Sequence, residues 1–216
     1  LQDGSMLDDN TSRNSITAAA IKSLSPNWSV GLGASGQQST YRNLDLSQRV
    51  AAALEYNIFP YRLSAEKALT LGYFLGATNY SYEQTTVFGL LEETRVDHGV
   101  FAELDIAQTW GDASIALRSA QMLDDPSLYR VTVGGNFNYR IARGLSVSVW
   151  GESSLVKDQI YLANVDASTS DILLGSAALN TDTETKIGIS LRYTFGSIYN
   201  NIVNNRLQGA SFARIY

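Results

Sequence analysis

The sequence predicts an all-β protein, an antiparallel up-and-down transmembrane β-barrel, and three observations carry that prediction. Apolar and polar residues alternate with a period of two over long segments. All prolines fall between those segments. The connections between segments alternate between short and long.

The alternation is clearest from Lys186 to Phe195, where Ile187, Ile189, Leu191, Tyr193 and Phe195 oppose Lys186, Gly188, Ser190, Arg192 and Thr194. Val131–Ile141 repeats it, with Val131, Val133, Phe137, Tyr139 and Ile141 against Arg130, Thr132, Asn136, Asn138 and Arg140. Val50, Ala52, Leu54, Tyr56 and Ile58 oppose Arg49, Glu55 and Asn57, and Val100, Ala102, Leu104 and Ile106 oppose Glu103 and Asp105. Side chains alternate across a strand, so each segment has one greasy and one polar face. About nine strands follow, near 13–23, 28–40, 47–59, 68–83, 96–110, 113–123, 129–141, 145–160 and 183–195. Most are twice the length of a globular strand, and about 10 residues tilted near 45° span a bilayer core.

Pro26, Pro60 and Pro126 all lie between strands. A proline inside a strand removes a ladder donor that lipid cannot replace. Turns at Leu24–Asn27, Pro60–Lys67, Gly111–Asp112 and Ala142–Gly144 are mostly short; those at Tyr41–Asp45, Gln84–Arg95, Leu123–Leu128 and Tyr161–Asp182 are longer and more acidic. That asymmetry is the pattern of outer-membrane barrels, with the short side periplasmic. With alternating strand directions, Trp28, Phe59, Trp110, Tyr139, Tyr193 and Phe195 fall near the short-turn side. Tyr41, Tyr80, Tyr82, Phe88, Tyr129 and Tyr161 fall near the long-loop side, as two interfacial aromatic belts would. Single-chain bacterial barrels have even strand numbers, so a tenth strand is expected before Leu1, together with an export signal. Residues 1–195 are then the barrel and 196–216 a periplasmic tail.

Composition narrows the function. The net charge of −5 and the lack of a Lys/Arg cluster weigh against a nucleic-acid partner. The absence of cysteine excludes disulfides and thiolate chemistry. No apolar run reaches the roughly 18 residues of a membrane helix, and the mean hydropathy of −0.09 suits alternating strands.

The stretches Leu145-Ser-Val-Ser-Val-Trp-Gly, Glu55-Tyr-Asn-Ile-Phe-Pro-Tyr61, Trp110-Gly and Tyr193-Thr-Phe-Gly-Ser-Ile-Tyr-Asn-Asn-Ile-Val-Asn204 resemble an uncharacterised group of Gram-negative outer-membrane β-barrel proteins. The resemblance runs from about Ser23 to Arg206. It implies the fold, an outer-membrane location, and a further N-terminal periplasmic region with an initial strand. It implies no catalytic residue.

Four further features are candidates for chemistry. Gly31-Leu-Gly-Ala-Ser-Gly36 matches a dinucleotide motif in letters, but it sits within an alternating strand rather than at a strand-to-helix turn. His98 is the single histidine and a conceivable hydrolase base, yet Asp97 beside it points to the opposite face and cannot readily orient it. Asp124, Asp125, Asp158, Asp166, Asp171 and Asp182 crowd the long loops without the spacing of a calcium loop. Asn200, Asn201, Asn204 and Asn205 follow the last strand as polar turns or a docking point for a periplasmic element.

The inward charges carry most weight. Arg49, Glu55, Glu103, Asp105, Arg118, Arg130, Arg140, Glu152, Lys186 and Arg192 share the polar face. On the lipid face an Arg or Lys would cost about 2–4 kcal/mol at mid-membrane, so these residues are expected to fill the lumen as a paired network. The expectation is a non-enzymatic structural, anchoring or interaction protein, without cofactor or metal. Its expected partners are outer-membrane lipid and lipopolysaccharide, and a periplasmic domain or protein. The alternative is a narrow channel or transporter of small solutes.

Overall fold

The computed structural model describes residues 11–164 and 178–194. They form one nine-stranded antiparallel sheet in simple sequence order: β1 (Arg13–Ser23), β2 (Trp28–Ser39), β3 (Leu44–Asn57), β4 (Lys67–Tyr82), β5 (Glu92–Gln108), β6 (Gly111–Met122), β7 (Tyr129–Ala142), β8 (Leu145–Val156) and β9 (Thr183–Tyr193). Strands run from 11 residues in β1 to 17 in β5. Among the described residues the remaining regular structure is two 3-10 turns, Thr40–Arg42 and Tyr61–Leu63. No helix among the described residues is long and apolar enough to cross a membrane, which leaves a barrel's strands untouched as a means of crossing.

Several strand ends differ from the sequence reading. β5 begins at Glu92 rather than near 96, because β4 runs on to Tyr82 and gives Glu92–Arg95 partners at Ser81–Thr78. The acidic pair Glu92–Glu93 reads as loop, but a waiting edge outweighs propensity. β8 stops at Val156 rather than near 160, where the chain leaves the sheet and turns inward. The loop lengths are also less uneven than expected: the connection from β2 to β3 is brief, and that from β3 to β4 spans Ile58–Glu66.

The two faces of the sheet are sharply unlike. On one face Arg49 is 4% exposed, Glu55 2% and Asp97 1%. On the other Leu32 is 66% exposed, Ile187 74% and Leu191 70%. We call these the inner and outer faces. The usual order of burial is inverted, with charge inside and aliphatic side chains outside. One sheet accounts for this; among the described residues no second sheet covers Leu191 or Tyr193.

At the short-turn ends the outer face carries ring contacts between Trp28 and Tyr56 (centroids 4.8 Å apart), Trp110 and Phe137 (5.5 Å), and Phe137 and Tyr139 (6.3 Å). The belt expected at the opposite end is corrected in part: Tyr41 and Phe88 are exposed, but three of its members are not. Tyr80, Tyr82 and Tyr161 are buried on the inner side with Leu44, Met122 and Ile160. Their parity explains it: Tyr80 and Tyr82 continue the inner series of Gly76 and Thr78.

Two glycines shape the inner packing. Gly72 pairs with Phe101, and Phe74 pairs with Gly99, across the same two strands. Each ring lies over the opposing glycine, so a Cβ on Gly72 would stand 2.0 Å from Phe101 Cζ. The two phenylalanines join Ala51 and Ala53 in a small apolar cluster inside the sheet.

Candidate functional site

The inner face divides into a filled half on β2–β5, a cap at the long-loop end, and an open half on β6–β9. Register fixes each.

In the filled half, Ala51, Gly76 and Asp97 stand side by side on β3, β4 and β5. Because Gly76 has no side chain, the Arg49 guanidinium lies across β4 and reaches β5. It donates two hydrogen bonds to the Asp97 carboxylate, one of 3.0 Å from Nη2 to Oδ2, and a further 3.0 Å bond from Nη1 to Thr78 Oγ1. Two parallel bonds to one carboxylate hold both groups in a fixed plane. Beside the pair lies a hollow of about 30 Å³, walled by Ser15, Thr17, Ser35 and Thr78, with room for about one or two waters. Deeper in this half, Ser29, Glu55 and Thr70 are buried below the phenylalanine cluster.

The cap is built on Asn43, which holds a left-handed conformation (φ 54°) after the 3-10 turn. Its side chain donates to the carbonyls of Gln84 (2.8 Å) and Tyr161 (3.3 Å) and accepts from the Gln84 amide (2.7 Å). Thr86 bridges to Ala163, and the Val87 amide donates to the Leu162 carbonyl at 2.8 Å. The strap Lys157–Asn164 is thereby laid over the ends of β3–β6. Asp158, 2% exposed, anchors it to Arg130 on β7 at 3.0 Å. Arg42 stacks 5.5 Å above the Tyr161 ring. Burial pushes the Tyr161 hydroxyl above its ordinary value, with Arg42 opposing the shift.

The open half is different in kind. Asp105, Ser114, Asn136, Trp150 and Gly188 form one row across β5–β9, and Glu103, Ala116, Gly134, Glu152 and Lys186 form the next. Glu152 and Lys186 are exposed. Arg118 approaches Glu103 at 3.9 Å, and Lys186 approaches Glu184 at 3.9 Å. Arg140 and Arg192 share a row near the short-turn end with Ser146 between them, and Arg140 donates to the Thr109 carbonyl at 3.5 Å.

The register thus puts all ten charges singled out in the sequence on the inner face, but it does not join them to one another as a single network. Arg49 pairs with Asp97 and Arg130 with Asp158, and neither acid was among the ten. Glu103 and Arg118 meet loosely. The missed residues carried a usable signal: Asp97 has the parity of Glu103 and Asp105, and Trp150 that of Glu152.

The other candidates resolve simply. Gly31–Gly36 lies wholly within β2, with Leu32 outward. His98 points outward, where the Tyr73 hydroxyl and His98 Nδ1 lie 3.2 Å apart, while Asp97 is inside. Asp124 pairs with Arg95, and Asp182 with Lys157. The hydroxyl and amide of Ser127 hold Asp125 below the usual carboxylate range. No group of His, Asp or Glu among the described residues is arranged to hold a metal ion. Asp166, Asp171, Phe195, the asparagines from Asn200 to Asn205, and the tail 196–216 lie outside the described residues. No protein-family model matches the chain, and no curated protein matches it in sequence.

Proposed function

We propose that this chain forms most of the wall of a small bacterial outer-membrane β-barrel that acts as a structural, anchoring or interaction protein. One observation carries the reading: long alternating strands bury ionised side chains and turn aliphatic ones outward. In water such an apolar surface would be a liability, whereas hydrocarbon accepts it and forbids the charges. Phe74, Phe101 and the Arg49–Asp97 pair fill one half of the interior, and the cap covers its long-loop end, as suits a rigid support.

Strand direction supports closure by one further strand. In an antiparallel meander β1 and β9 run the same way, so pairing them directly would make a parallel seam. A tenth strand between them, running from the short-turn side to the long-loop side, is antiparallel to both and gives the even number such barrels have. The initial strand implied by the resemblance fits that direction.

The test is partition of the purified chain into a detergent phase, with heat-dependent migration on a gel. A chain that stays in the aqueous phase and migrates alike before and after heating overturns the reading. A second reading, a narrow solute path, is favoured by the water-accessible polar groups of the open half. It predicts discrete conductance steps in planar bilayers that change when Arg118 is replaced by Ser; a barrel inserted without conductance excludes it.

A further inference from the structure

We propose that the open half of the inner face is a carbohydrate-binding platform centred on Trp150. This rests on the reading of that face as open to water, as it is in the lumen of the proposed barrel. The indole of Trp150 lies flat over Gly188: a Cβ built there would stand 2.3 Å from Nε1, 2.4 Å from Cε2 and 2.6 Å from Cζ2. The ring is laid against the wall rather than packed into the interior as Phe74 and Phe101 are, and it remains 44% exposed. Its free face looks into the barrel.

The neighbours are chemically suited to one ligand class. Asn136 precedes Trp150 in its row, with Asp105 at the row's far end; Glu152 and Lys186 stand in the next row, on the same two strands as Trp150 and Gly188. Among the described residues the side chains of Asn136, Glu152 and Asp105 make no hydrogen bond or ion pair, in contrast to the paired carboxylate of Asp97. Two carboxylate acceptors, an ammonium donor and an amide that does both match the hydroxyls of a sugar, each of which donates and accepts. The apolar face of a pyranose ring covers an indole well. Other classes fit worse. An anion meets Glu152 and Asp105. A cation meets Lys186. An apolar ligand strands all the polar groups without partners.

The probe is maltotriose, titrated against the folded protein in detergent micelles, with the Trp150 signal taken as the difference between wild type and Trp150→Phe. A saturable fluorescence change is expected, with affinity lowered at least about tenfold in Trp150→Leu. Asn136→Ala and Glu152→Gln should each weaken it several-fold. Heat-dependent migration confirms that each variant is folded. Absence of a saturable change in folded protein overturns the proposal, as does equal binding by Trp150→Leu. A response to spermidine but not to maltotriose does so too, marking a cation site. If the chain fails to enter the detergent phase yet binds maltotriose through Trp150, the membrane reading falls and the platform stands.

Discussion

Arg49 and Asp97 show how much hangs on a missing side chain. The two are far apart in sequence and on non-adjacent strands, and they meet because Gly76 leaves the strand between them bare. Asp97→Leu leaves a buried guanidinium without its carboxylate and should cost about 3–5 kcal/mol. The double variant Arg49→Met/Asp97→Leu removes both charges and should recover most of that loss. The measurement is the urea midpoint of the folded band in detergent; a double variant as unstable as the single one would show that packing, not charge, governs the site. At Gly99 the constraint is harder, since an added Cβ would stand 2.0 Å from the Ser119 carbonyl oxygen. Gly99→Ala should cost about 1–3 kcal/mol by the same measurement. At this scale the sequence was readable in part. Parity assigned Arg49, Glu55 and Arg118 to the inner face, but not their partners. Asp97 drew attention only as a neighbour of His98, because sequence distance hides which rows of adjacent strands coincide.

The elements were more legible than their junctions. Long alternation and the placement of Pro26, Pro60 and Pro126 located every strand among the described residues, because a strand with one apolar and one polar face must keep its period. The cap was not legible. Its residues belong to loops, and Tyr80 and Tyr82 lie at the height of a belt while their parity at the end of β4 turns them inward. Asn43 is the element's weak point. Asn43→Gly keeps the left-handed backbone but loses three side-chain hydrogen bonds, whereas Asn43→Ala also strains the backbone. Limited proteolysis should therefore cut within 84–91 and 157–164 faster in both variants, and fastest in Asn43→Ala. Equal rates in wild type and variants would show that the strap is held elsewhere. The cap should also loosen in base. The neutral Tyr161 is favoured by the fold, so its contribution is intact below the ordinary tyrosine value of about 10 and fades as pH rises through the higher folded value. Tyrosinate absorbance should rise together with strap proteolysis; cleavage that is flat across that range would contradict it.

Across the whole molecule the two halves of the wall should differ in firmness. β2–β5 enclose aromatic rings and a fixed ion pair, while β6–β9 carry, apart from Trp150 and Arg130, mostly small residues and solvated groups on their inner side. Amide hydrogen exchange in a detergent micelle should be slower in β3–β5 than in β7–β9, and uniform protection would refute the division. The all-β, antiparallel up-and-down sheet was plain from the sequence because a period of two over such lengths admits few architectures. The unequal halves were not, since they arise from glycines at 72, 76, 99 and 188 whose effect depends on what lies opposite.

The shared direction of β1 and β9 has a consequence for how such a molecule is completed. A sheet whose two margins point alike has no way to latch onto itself by the rule that built it, and two upright copies side by side would meet the same obstacle. If the sheet closes as proposed, completion is a single event, the arrival of one counter-running segment, and everything before it is a ribbon with two raw borders. The step most worth guarding during biogenesis is therefore the last zip, not the first turn.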